Sequence, residues 1–148
     1  MPEHTAITET LAADHRNCDR LLGAIAIRGR RTDWAQVAQE TAAFRSAMER
    51  HFRFEEEVLF PPLEQVSPMS TGPTEMMRQQ HAQIRALLDD LGAAATAEDA
   101  DDFTGISETL HFLIQQHNAK EEGILYPLAD RALGADGEAL TARLDEMG

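Results

Sequence analysis

The sequence predicts an all-α fold, an up-down antiparallel four-helix bundle closed by a short C-terminal helix. Three observations predict it. No stretch alternates apolar and polar residues over a useful strand length. Ala, Leu, Glu, Gln, Arg and Met dominate, and these residues favour helix. Apolar residues recur at steps of three and four in four long segments joined by shorter polar ones. A chain of 148 residues, 43% of them hydrophobic, suits a single domain over residues 1–148 with one packed interior.

The first helix is expected from about Thr5 to Arg28, with an inward stripe of Ile7, Leu11, His15, Cys18, Leu22 and Ile25 and with Gly29 as its C-terminal stop. The second opens at Thr32 or Asp33, either a fair N-cap. It carries Val37, Phe44, Met48, His51, Glu55 and Leu59 inward and stops at Pro61-Pro62. LEQVSPMSTGP reads as a loop. Thr74 starts the third helix, whose stripe is Met77, His81, Ile84, Leu88 and Leu91, and Gly92 ends it. AAATAEDADD connects to the fourth, which carries Phe103, Ile106, Leu110, Leu113 or Ile114, His117, Glu121 and Leu125, with Pro127 as a kink or end. The bundle thus spans about 5–131, and a terminal helix about 136–147 lies over it.

Net charge is −13, from 26 acidic and 13 basic residues. No basic stripe exists for nucleic acid, Arg30-Arg31 being too short, and anionic membrane surfaces are disfavoured. The acidic surface names no protein partner. The single Cys18 excludes an internal disulfide framework and agrees with a reducing compartment. MPEHTAITETLAADH has neither a basic n-region nor an apolar h-region, and no run of roughly 18 apolar residues could span a bilayer. A cytoplasmic location is expected.

An internal repeat organises the chain at an offset of 66 residues. His51, Glu55, Glu56, Leu59 and Pro61 recur as His117, Glu121, Glu122, Leu125 and Pro127. The same offset carries His15 to His81 and Leu21-Leu22 to Leu87-Leu88. Each half therefore presents a helix with a lone histidine and, 36 residues later, a helix with H-x-x-x-E. Two similar hairpins related by an approximate two-fold axis would gather equivalent residues about one centre.

Residues i and i+4 share a helix face, so His51 with Glu55, and His117 with Glu121, can point at one object. His15 and His81 lie on the inward stripes of the other two helices at similar depth. A single inward histidine is more often a hydrogen-bonded core residue. Four of them with two buried carboxylates favour a metal site, because unpaired buried carboxylates cost several kcal/mol or more. Four imidazoles and two carboxylates suit iron, manganese or zinc. Calcium and magnesium prefer all-oxygen shells, and a structural zinc wants four ligands, usually with cysteine. Six ligands in a two-fold arrangement point to two metals. His15 and His51 would serve one and His81 and His117 the other, with Glu55 and Glu121 bridging. An oxide or hydroxide bridge would leave one open position on each.

At these residues the sequence resembles the hemerythrin-like, or HHE cation-binding, family. The matching segments are DHRNCDRLL, HFRFEEEVLFP, QHAQI and HNAKEEGILYP, within roughly residues 5 to 131. The resemblance implies an antiparallel four-helix bundle around two non-haem iron ions. It also implies members that bind oxygen reversibly or handle nitric oxide, peroxide or iron. Two departures bear on function. Oxygen carriers of the family have a further histidine four residues before the one matching His81, where this chain has Met77. They have a bridging aspartate five residues after the histidine matching His117, where this chain has Glu121 four residues on. Fewer histidines favour reactivity with oxidants over stable carriage. The related iron–sulfur repair proteins add a cysteine-bearing N-terminal region and an extra histidine, neither of which has a match here.

The remaining candidates read as ordinary residues. Glu56, Glu57 and Glu122 fall about 100° or more off the inward stripe and are expected in solvent, with support of a ligand imidazole as the alternative. His111 lies about 120° round its helix from His117. Cys18, Met77 and Tyr126 are core residues first. The expected partner is a small molecule: O2, H2O2 or NO. Competing readings are iron storage or donation, iron–sulfur repair, and a sensor module stabilised by metal. A ferritin-like enzyme would need Glu-x-x-His twice, and only Glu108-x-x-His111 fits.

Overall fold

The structure, a computed structural model, describes residues 3–28 and 33–147. Gly29, Arg30, Arg31 and Thr32 lie outside the described residues. Four long helices form the bundle: α1 (Ala6–Arg28), α2 (Trp34–Arg53), α4 (Thr71–Thr96) and α5 (Ala100–Lys120). Short helices follow α2 and α5. These are α3 (Phe60–Val66), α6 (Tyr126–Leu133) and α7 (Asp136–Ala142), and a 3₁₀ turn at Asp145–Met147 ends the chain. No strand occurs among the described residues. Among the described residues no helix is long and apolar enough to cross a membrane.

Ion pairs fix the helix directions. Arg45 pairs with Asp89 while Glu49 pairs with Arg85, so α2 and α4 run antiparallel. Asp19 accepts from Gln115 of α5 while His15 meets Glu122 just beyond it, so α1 and α5 do the same. Asp33 caps α2 by accepting from the Gln36 amide, as one of its two expected N-caps. Asp99 caps α5 in the same way through Asp102. The start of α1 is capped from a distance. Buried Asp130 of α6 accepts from the Ile7 and Thr8 amides and from the Thr8 hydroxyl, supplying partners that a helix start otherwise lacks.

The apolar stripes pack in two clusters. One gathers Leu22, Ile25, Val37, Phe44, Leu88, Leu91, Phe103 and Ile114. The other gathers Ile7, Leu11, Phe54, Leu59, Phe60, Leu63, Leu125 and Tyr126. Ile114 rather than Leu113 is the buried member of its stripe. Fully burying each Leu, Ile or Phe contributes about 1.5–3 kcal/mol. The inward histidines interrupt the stripes between the two sets.

Three expected helix boundaries move. Pro61-Pro62 does not end the helical path. The chain widens into a π turn at Phe54–Leu59 and continues as α3, with its prolines in the first turn, where their missing amides cost nothing. Most of LEQVSPMSTGP is consequently helical: α3 runs to Val66, a 3₁₀ turn covers Pro68–Ser70, and α4 starts at Thr71 rather than Thr74. Gly92 lies inside α4, because the good helix formers Ala93–Ala95 carry the helix on to Thr96. The connection to α5 is only residues 97–99.

The α4 stop falls on Glu98 instead, at φ 55°. Its amide bonds the Ala95 carbonyl and that of Asp99 bonds Ala94, the pattern of a helix end turned by one left-handed residue. Such a residue carries about 1 kcal/mol of backbone strain unless it is glycine. Glu98→Gly is therefore expected to raise unfolding free energy by about 0.5–1 kcal/mol in urea melts. A decrease would refute the strain.

Candidate metal centre

The two π turns build the site. At Phe54–Leu59 the Phe60 amide bonds the Glu55 carbonyl, and at Glu121–Leu125 the Tyr126 amide bonds the Glu121 carbonyl. Both are five-residue turns. Pro61 and Pro127 account for them, because a proline ring collides with the carbonyl four residues back and the helix must open just ahead of it. Glu55 and Glu121 sit in these widened turns, both fully buried.

Six side chains converge there. Nε2 of His81 lies 3.1 Å from Oε1 of Glu55. Nε2 of His15 and Nε2 of His117 each lie 3.1 Å from Oε1 of Glu121. Nε2 of His51 stands 3.5 Å from Oε1 of Glu55. The ligand-capable atoms fall into two groups, each spanning no more than 4.8 Å: Glu55, His81, His117 and Glu121, and His15, His51 and Glu121. All six residues nominated from the sequence are thus brought together, and Glu121 belongs to both groups.

Each ring is oriented from behind. Nδ1 of His15 donates to Glu122 (2.8 Å), of His51 to Asp14 (2.7 Å), of His81 to Glu56 (2.7 Å) and of His117 to Gln80 (2.7 Å). All four partners offer oxygen acceptors, so Nδ1 keeps its proton and it is Nε2 that is left to turn a lone pair to the centre once its own proton is lost. Glu56 and Glu122, expected in solvent, instead hold His81 and His15. They do so because each reaches across to a neighbouring helix rather than along its own. Glu57 is exposed, as expected. Asp14 and Gln80 went unnoticed in the sequence. Both directly precede the lone histidine of their helix and match at the 66-residue offset.

Tyr126, expected in the core, places its hydroxyl inside the ring of donors. It lies 2.8 Å from Oε2 of Glu55, 2.9 Å from Oε1 of Glu121, 3.0 Å from Nε2 of His15 and 3.2 Å from Nε2 of His51. The π turn brings it over Glu121, five residues back. Its repeat equivalent, Phe60, lies against His81 with ring centroids 6.1 Å apart, and Phe52 stacks on the same imidazole at 4.0 Å. Cys18 is buried among the apolar residues of the Phe44 cluster, and its thiol is pushed up to about 12 by burial. Met77 packs in the other cluster. His111 lines an exposed cleft with Leu22 and Glu108, away from the ring.

Four buried atoms facing this centre have no hydrogen-bond partner: Oε1 of Glu55, Nε2 of His81, Nε2 of His117 and Oε2 of Glu121. Leaving each unmet costs about 1–3 kcal/mol. Acceptors and lone pairs aimed at one point suit a cation, and a mixed nitrogen and carboxylate set suits a first-row transition metal. A family model described as the hemerythrin HHE cation binding domain matches residues 6–129. The chain belongs to that family. No curated protein matches it.

The electrostatics of this hemerythrin-family site follow from burial and charge. Burial alone would push His15 and His81 down. The carboxylates beside them, Glu121 and Glu122 for His15 and Glu55 and Glu56 for His81, outweigh it and raise both to about 9. Burial raises Glu55, and the charge of Glu121 beside it adds to the rise. Glu121 is held well below the usual range despite burial, by the Glu55, His117 and His15 groups beside it. Of the two carboxyls, Glu55 is the one that holds a proton more readily. Burial opposes ionisation of Glu56 too, yet His81 and Arg85 bring it down to about 2. Burial and both carboxylates hold the Tyr126 phenol protonated.

Proposed function

We propose that this chain is a non-haem di-iron protein that binds or reacts with O2, or with related small oxidants such as H2O2 or NO, at an open iron position. One observation carries the reading. Six buried donors fall into two groups that share Glu121, with unmet acceptor atoms aimed at the space between. In this reading His15 and His51 would hold one ion, His81 and His117 the other, and Glu55 and Glu121 would bridge. A bound iron pair supplies two-electron redox chemistry and a vacant coordination position.

The protein's own groups supply the rest. Asp14, Glu56, Gln80 and Glu122 fix the imidazoles so that each nitrogen is aimed before metal arrives. Phe52 and Phe60 cover His81 and exclude water from that side. Tyr126 keeps a proton on its phenolic oxygen within reach of both bridging carboxylates. The ferritin-like reading has little support, since Glu108 and His111 line a surface cleft. Cytoplasmic location belongs to the proposal, in keeping with the buried free thiol of Cys18.

Protein made with iron available is expected to carry about two irons per chain and to show an oxo-bridged ferric spectrum. Zinc alone, or no metal, would overturn the proposal. Addition of O2, H2O2 and NO to the reduced protein then separates the roles. A reversible adduct marks a binder, peroxide turnover a catalase-like enzyme, and slow iron release to an acceptor a donor or repair protein.

A further inference from the structure

The offset of 66 residues also relates two grooves on the outside of the bundle. One lies between α2 and α4 and is lined by Thr41, Ala42, Arg45, Asp89 and Gly92. The other lies between α1 and α5 and is lined by Ser107, Glu108, His111, Gly23 and Ala26, the same five positions in the other half. In the first groove Arg45 and Asp89 pair across the mouth. In the second their places are held by His111 and Gly23. A glycine has no side chain to send across, so a cleft of about 230 Å³ stays unbridged, with Leu22 and Ala26 in its wall.

The same half carries an apolar side chain that the fold leaves uncovered. Phe112 is 60% exposed, the one aromatic among the large apolar residues left in solvent in the described chain. Its repeat position holds Ser46. Exposed ring and unbridged cleft thus occur together in one half, and the other half has neither.

Ring and cleft also stand level. α1 and α5 run antiparallel, with Asp19 bonded to Gln115. One turn further along α1 is Gly23, and about one turn back along α5 are His111 and Phe112. A second copy related by a two-fold axis along the bundle brings each copy's Phe112 over the other copy's Gly23, the reciprocal contact of an isologous pair.

Charge permits that approach. The chain has a net charge of −13, yet from Phe103 to Ala119 it holds one acidic residue, Glu108, and no lysine or arginine. Depletion of charge is what marks the centre of an interface. The α1 edge of the face carries exposed Arg16 and Arg20, and the α5 edge carries Glu108. The two-fold sets these unlike edges together.

We propose that this face is where two copies of the chain associate, each placing Phe112 in the other's α1–α5 cleft. The contact lies outside the donor ring and stands whether or not metal is bound.

Sedimentation equilibrium of the intact protein over a concentration series tests it. The wild type is expected to be dimeric at tens of micromolar. Phe112→Ser installs the residue of the repeat position and should raise the dimer dissociation constant about a hundredfold, because both copies lose their anchor. Gly23→Asp should do the same by filling the cleft with a charged side chain. A Cβ at Gly23 meets nothing within 4 Å, so the fold accommodates the change. Met69→Ser removes an apolar side chain that is 91% exposed elsewhere and should leave the dimer unchanged. Thermal melts check that each variant is folded. A wild type that stays monomeric up to about 1 mM overturns the association. A dimer of unchanged affinity in Phe112→Ser or in Gly23→Asp, or one lost in Met69→Ser, overturns the assignment of the face.

Discussion

Glu121→Ala is expected to reduce bound metal from about two ions per chain to near zero. Glu121 is the one residue common to both donor groups, and without it the only carboxyl left is Glu55, which burial pushes toward its protonated form. Glu55 stands in only one, with His81, His117 and Glu121. Glu55→Ala should therefore keep about one ion, on His15, His51 and Glu121, and lose the paired spectrum. Thermal melts give a second readout. Metal that binds only the folded state adds about 2.7 kcal/mol per site at a hundredfold excess over Kd. Glu121→Ala should lose that gain at both sites and Glu55→Ala at one. Equal metal content in the two variants would sink the sharing, and retention of both ions in either would sink the bridging role.

Removing the metal should expose a pH dependence of unusual direction. In the stripped protein His15 and His81 titrate near pH 9, raised by the carboxylates around them against the effect of burial. Their ordinary value is 6.5. A group whose value is raised by folding stabilises fully below its unfolded value and loses that contribution as pH passes its folded one. Stability of the stripped protein should thus fall between about pH 6.5 and pH 9, by an amount on the order of several kcal/mol for the two groups together. Metal loading requires neutral Nε2 atoms, so at pH 7 the His15 and His81 rings should together release about two protons. Denaturant melts across pH check the first expectation, and calorimetry in buffers of different ionisation enthalpy checks the second. A stripped protein that grows more stable from pH 6.5 to 9 would contradict it. On the acid side the lowered Glu56, near 2, works in the opposite sense. Its contribution is present above about 4.5 and lost as pH falls through 2.

Much of this was legible in the chain, and the exceptions share causes. The pairing of His51 with Glu55 follows from helical period, and the offset of 66 residues relates it to His117 and Glu121. Both inferences survive because those residues precede the π turns or sit at their start. Tyr126 was hidden because the α period puts Leu125, not Tyr126, over Glu121. Only a five-residue turn reverses that, and the signal for one was the proline immediately after, at 127. Asp14, Gln80, Glu56 and Glu122 were hidden for another reason. Their partners lie on neighbouring helices, and a single-helix stripe carries no information about reach across the bundle. The misjudged boundaries obey the same rule. Pro61 reads as a stop only if the helix keeps its α width, and Gly92 reads as a stop only if Ala93–Ala95 cannot extend the helix.

The widened turns also bear on how much reshaping metal binding requires. A backbone free to choose between α and π geometry would have to be fixed when metal arrives, and part of the binding free energy would be consumed in fixing it. Pro61 and Pro127 restrict that choice already in the unfolded chain, through ring geometry that costs nothing further on folding. The carboxylates of Glu55 and Glu121 are then presented by frames set before any ion is present, and the donor ring is preorganised from the backbone outward.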